Sequence, residues 1–79
     1  MTEQEKRGYD EICKLINGGY EVISANQSTI GNYISSIKEK YPKKAIGLEI
    51  SLLYQVPRDH SINQEIDRLR KLYDETPET

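Results

Sequence analysis

Ile46-Gly47-Leu48-Glu49-Ile50-Ser51-Leu52-Leu53-Tyr54-Gln55-Val56 is the stretch on which the fold class turns. Ile46, Leu48, Ile50, Leu52, Tyr54 and Val56 are apolar at every second position, with Gly47, Glu49, Ser51 and Gln55 between them. Only Leu53 breaks the alternation. Strand side chains point to opposite faces in turn, so this spacing predicts a strand of about ten residues. On a helical wheel the same apolar residues spread over all sides, with Glu49 among them. The competing reading is a short buried helix, since Ala, Leu and Glu are good helix formers. Pro57 closes the segment.

Upstream, Asn26 and Ser28 are both plausible caps for a helix carrying Ile30, Ile34, Ile37 and Tyr41. That helix is predicted to stop before Pro42, because the residue preceding a proline disfavours the α conformation. Tyr20-Glu21-Val22-Ile23-Ser24 is short and partly β-branched and reads as a second strand. At the N-terminus, Thr2-Glu3-Gln4-Glu5 fits a capping box. Tyr9, Ile12, Cys13 and Ile16 then form one apolar stripe of a first helix. Gly18-Gly19 ends it, glycine being at ease in the left-handed conformation.

Downstream, Ser61-Ile62-Asn63-Gln64 matches a second capping box. Ile62, Ile66, Leu69, Leu72 and Tyr73 give the stripe of a last helix. Thr29 to Tyr41 and Ser61 to Tyr73 share a spacing of apolar and basic residues, as two amphipathic helices under common packing rules would. The elements predict an α+β fold in the order α-β-α-β-α: a small two-stranded sheet covered by three amphipathic helices. The alternative is an all-α four-helix bundle. Residues 1–75 are expected to form a single globular domain and 76–79 a frayed polar tail.

A chain of 79 residues buries only about 60% of its unfolded surface, and small scaffolds often need a staple. One Cys and one His complete neither an internal disulfide nor a structural zinc site. Oligomerisation is the staple left, and a homodimer is expected through the unpaired edge of the longer strand, with Leu53 as its apolar contact. Thirteen acidic and eleven basic residues give a net charge of −2, too mild to announce nucleic-acid binding by itself. No apolar run is long enough to span a membrane. The start, Met1-Thr2-Glu3-Gln4-Glu5, is acidic and polar rather than signal-like. A cytoplasmic protein is therefore expected.

Every aromatic is a tyrosine: Tyr9, Tyr20, Tyr33, Tyr41, Tyr54 and Tyr73. A phenol needs a partner for its hydroxyl, so tyrosine suits places with one dry and one wet side. Tyr33, Leu53, Tyr54 and Tyr73 are the candidate partner-binding residues. The densest basic segment places Lys38, Lys40, Lys43 and Lys44 around Tyr41. With that ring it offers a candidate nucleic-acid contact, although lysines also favour helix C-termini for electrostatic reasons. His60, the lone imidazole, lies in Arg58-Asp59-His60-Ser61 and reads as part of a capping loop rather than a catalytic group. Cys13 on the apolar stripe reads as a small core hydrophobe. Gln27 to Ile34 has the small polar look of a recognition helix, but two glycines precede it where a paired helix would lie. No phosphate loop or calcium loop is present, and neither cofactor nor metal is expected. These features predict a non-enzymatic macromolecule-binding protein, a small regulator, inhibitor or adaptor. The alternative is a nucleic-acid-binding regulator using Lys38 to Lys44.

Overall fold

Residues 1–77 are described by a computed structural model, and among them there are five helices and no strand. The helices are α1 (Glu3–Asn17), α2 (Tyr20–Ala25), α3 (Gln27–Ile37), α4 (Pro42–Gln55) and α5 (His60–Glu75). The α+β expectation is overturned: the fold is all-helical, with one helix more than the four-helix alternative. Residues 78 and 79, part of the expected polar tail, lie outside the described residues.

The decisive stretch is helical because α4 is buried on two sides. Tyr41, Ala45, Leu48 and Leu52 turn one stripe toward α1, α2 and α3, where they join the isoleucines of the main core. Ile46, Ile50 and Leu53 form a second stripe roughly a third of a turn away, facing α5. Laid out in sequence, two interleaved helical stripes mimic a period of two. Glu49 sits in the seam between them, half-buried, with Lys38 Nζ 3.8 Å from its carboxylate. The wide apolar arc that argued against a helix is the mark of a helix with neighbours on both flanks.

The two strand expectations fall together. With 46–56 helical, Tyr20 to Ser24 has no ladder partner, and it coils instead into the single turn and a half of α2. So short a helix does not stand alone; Ile23, buried in the core, ties it down. Gly19 makes the sharp turn from α1 into α2 with φ of 94°, a conformation few residues other than glycine adopt. The sheet edge through which homodimerisation was expected does not exist: Leu53, Tyr54 and Gln55 form the last turn of α4.

The helix ends follow local chemistry. At Thr2 both halves of the capping box are made: the Glu5 N–H donates to Thr2 Oγ1 at 3.2 Å, and the Thr2 N–H donates to Glu5 Oε1 at 2.8 Å. Asn26 precedes α3, but its side-chain amide donates back to the Val22 carbonyl at 2.8 Å, closing the end of α2 rather than capping α3. Helix α3 ends at Ile37, short of Tyr41, and Pro42 opens α4 as a first-turn proline rather than closing the helix before it. Asp59, not Ser61, caps α5, accepting from the Ile62 N–H at 2.9 Å.

The result is a slab with Cα extents of 37 × 31 × 16 Å. Helix α4 runs through its middle, with α1 and α3 on one flank and α5 on the other. Ile12, Ile16, Ile23, Ile30, Ile34 and Ile37 fill the larger core, and Tyr41 is its one buried aromatic among the described residues. Ile66 and Leu69 of α5 are buried outside that cluster, as is Ile46. No helix among the described residues is long and apolar enough to cross a membrane.

Leu48 is 2% exposed at the centre of the core stripe, and Ser51 is on the open side of the same helix. Leu48→Ala should cost about 2–5 kcal/mol of stability in urea unfolding. Ser51→Ala should stay within about 0.5 kcal/mol of the parent. Similar small losses for both would remove α4 from the core.

Candidate functional site

The short link from Val56 to Asp59 folds α5 back along α4, so the late turns of α5 lie beside the early turns of α4. Their stripes bury Ile46, Ile66 and Leu69, and beyond this seam an open groove of about 440 Å³ remains. Helix α4 supplies Gly47, Ile50 and Tyr54 at successive turns; α5 supplies Arg70, Tyr73 and Asp74. Gly47 leaves the floor low. A Cβ built there would meet Tyr73 Cε2 at 3.5 Å, an ordinary contact.

Two tyrosines wall this groove, and each carries a cation. Lys43 Nζ is 4.6 Å from the centroid of the Tyr73 ring, and the Arg58 guanidinium is 5.0 Å from that of Tyr54. Such pairs contribute about 0.5–1 kcal/mol at exposed sites and hold the rings in place. Tyr54 is 41% exposed, more open than a ring needed for packing. Arg70 is exposed, with Asp74 one turn beyond it.

Of the four candidate partner-binding residues, the fold brings Tyr54 and Tyr73 together here. Leu53 looks into a different groove, of about 460 Å³, lined also by Tyr20, Ile23, Val56 and Ile62. Tyr33 lies between α3 and α1, its ring against Gly8. Its hydroxyl is buried without a hydrogen-bond partner among the described residues, and burial pushes its pKa up.

The basic segment is split over several contacts. Lys38 pairs with Glu49. Lys40 Nζ lies 3.1 Å from Glu5 Oε2 and 5.5 Å from the Tyr41 centroid. Lys43 covers Tyr73, and Lys44 is 6.0 Å from the Tyr9 centroid. Tyr41 is buried, and its hydroxyl donates to both Glu5 oxygens at 3.0 Å. Its ring is therefore engaged inside the fold and not presented for a base to stack on.

Glu5 gathers these bonds at the start of α1. Its carboxylate accepts from the Thr2 backbone, from Lys40 and from the Tyr41 hydroxyl, which ties α1 to the turn between α3 and α4. The Thr2 N–H first, and Lys40 next, hold its pKa down to about 2. His60 is exposed at the first position of α5, and the Asp59 carboxylate beside it is committed to the cap. Cys13 is half-buried, and burial pushes its thiol pKa up, away from a reactive thiolate.

Sequence reasoning missed Gly47, Arg58 and Arg70. They are far apart in the chain and meet only through the α4–α5 hairpin, which a strand at 46–56 hides. Read as two helices joined at Pro57, the sequence would have paired the start of α4 with the end of α5. A scan against protein-family models, a search of curated proteins and a search of solved structures each found no match to this chain.

A carboxyl held below its ordinary 4.5 stabilises the fold in full above that pH. The contribution is lost as pH falls from 4.5 toward 2. Thermal midpoints measured across this window should fall more steeply for the parent than for Glu5→Gln. Parallel curves would show that the tie at Glu5 is not linked to folding.

Proposed function

We propose that this chain is a non-enzymatic macromolecule-binding protein, a small cytoplasmic regulator, inhibitor or adaptor that acts by occupying a surface of another protein. The observation that carries this reading is the α4–α5 groove, where Tyr54 and Tyr73 stand as two braced, half-open aromatic walls. Tyrosine and arginine are the residue types that dominate binding energy at protein interfaces. They combine large contact area, little conformational freedom to lose, and a polar tip. Holding each ring under a cation reduces further what is lost when a partner arrives.

The nucleic-acid reading draws less support. It needs the lysines around Tyr41 to act as one surface with an available ring. Lys38 and Lys40 instead face carboxylates of the same chain, and Tyr41 is inside the core.

Tyr54 contributes little to the core, so Tyr54→Ser should leave the fold intact by circular dichroism. Affinity capture from a native lysate should retain at least one protein on the parent and lose it on Tyr54→Ser. Identical captures on both, or recovery only of nucleic acid whose binding collapses with added salt, would overturn the proposal.

A further inference from the structure

We propose that the groove beside α2 is the interface of a homodimer, in which the Tyr20 ring of each copy enters the groove of the other. This goes beyond the reading above and concerns a different surface, since the two grooves share no lining residue.

Composition is the first argument. Helices α2 and α3 meet the end of α4, the link and the start of α5 around a hollow of about 460 Å³. Leu52, Leu53, Val56, Pro57 and Ile62 line it, and Asp59 is its one charged lining residue among those described. The Asp59 carboxylate already accepts from the Ile62 N–H and caps α5. In a chain with 30% charged residues, this is a surface almost without charge. It presents no cation to a phosphate or a carboxylate. Depletion of charge at the centre, with tyrosine enriched, is what sets an interface apart from ordinary surface.

Shape selects the occupant. Tyr20 stands on the rim of this groove, 53% exposed, the most open large apolar side chain among the described residues. Tyr9, Tyr41, Tyr54 and Tyr73 each have a cation over the ring, and Tyr20 has none among the described residues. An unbraced ring beside an apolar hollow puts both halves of a contact on one patch. Two-fold association asks for that arrangement: the same patch on both copies, each residue meeting its counterpart's neighbour in turn. A foreign partner would have to bring a knob and a hollow of its own in matching order, and a second copy has them.

Area agrees. A folded monomer of 9.1 kDa exposes about 4,900 Å², whereas this chain exposes 5494 Å². The excess, about 600 Å², approaches the ~800 Å² that each partner contributes to a standard interface. A body 16 Å thick buries little of itself alone, and covering this face with a second copy makes up the difference.

Sedimentation velocity of the full chain from about 1 to about 500 μM tests this, the span over which a reversible contact of modest affinity forms. The sedimentation coefficient should rise with concentration from that of the 9.1 kDa monomer to that of a dimer. Tyr20→Ser should weaken the dimer at least about tenfold, with circular dichroism unchanged. Gln27→Glu is the second variant. Gln27 lines the groove, is exposed, and opens α3, which has no acid in its first turn. An acid there suits the helix dipole, so the thermal midpoint of the dilute monomer should hold or rise, while the like charges brought together weaken the dimer. A monomer at every concentration would overturn the proposal. So would a dimer that survives both variants, as exchange of α5 between copies would give, or one lost only in Tyr54→Ser, which would move the contact to the α4–α5 groove. If the chain is monomeric yet Tyr20→Ser loses a protein that the parent captures, the groove belongs to a foreign partner and the homodimer falls.

Discussion

Helix α4 has to satisfy two neighbours at once, and the shape of the molecule follows from that. Its Ala45, wholly buried, admits the elements of the larger core to close approach, and Leu48 and Leu52 carry that contact along the helix. Its other flank offers Ile46, Ile50 and Leu53 to α5. A helix with partners on two sides and solvent above and below gives a slab 16 Å thick rather than a ball. In so thin a body each helix keeps a wet side. A ring with one dry and one wet side suits such a body, as at Tyr41, whose ring is in the core and whose hydroxyl meets the Glu5 carboxylate.

The tyrosines divide by what their hydroxyls and rings meet. Tyr41 is turned inward and fixed by Glu5, where it helps join α1 to the start of α4. Tyr54 and Tyr73 are turned outward and fixed by cations over their rings. The same residue type thus serves as a structural tie in one place and as a presented wall in another. The difference lies in whether the partner is a carboxylate at the hydroxyl or a cation at the face.

Three of the five helices were legible in the sequence, while the fold class was not. The capping box at Thr2, the break at Gly18-Gly19 and most of the stripes of α1, α3 and α5 follow from nearest-neighbour chemistry, but Tyr41 of the third-helix stripe belongs to the start of α4 and Leu72 of the last-helix stripe is exposed. What misled was α4, whose two stripes interleave so that Ile46, Leu48, Ile50 and Leu52 imitate a pleated strand. Periodicity reports how many sides of an element are buried, and a helix buried on two sides loses its period. That one misreading carried α2 with it, because a strand at Tyr20 to Ser24 was credible only while a second strand was available. The site was partly legible for the same reason. Tyr54 and Tyr73 stood out by residue type, but Gly47 and Arg70 acquire meaning only from the register of α4 against α5.

Helix α5 rests chiefly on α4, while α1, α2 and α3 brace one another as well as α4. The groove therefore exists only while α5 is docked, since Arg70, Tyr73 and Asp74 leave with it. Docking of α5 and occupancy of the groove are consequently linked equilibria: whatever fills the groove holds the hairpin shut, and whatever loosens the hairpin lowers the apparent affinity by the fraction open. Substitutions at Ile66 or Leu69, which touch no partner, thereby become a dial on binding strength. Slow amide exchange along α5 is the quantity that would register the partner's arrival.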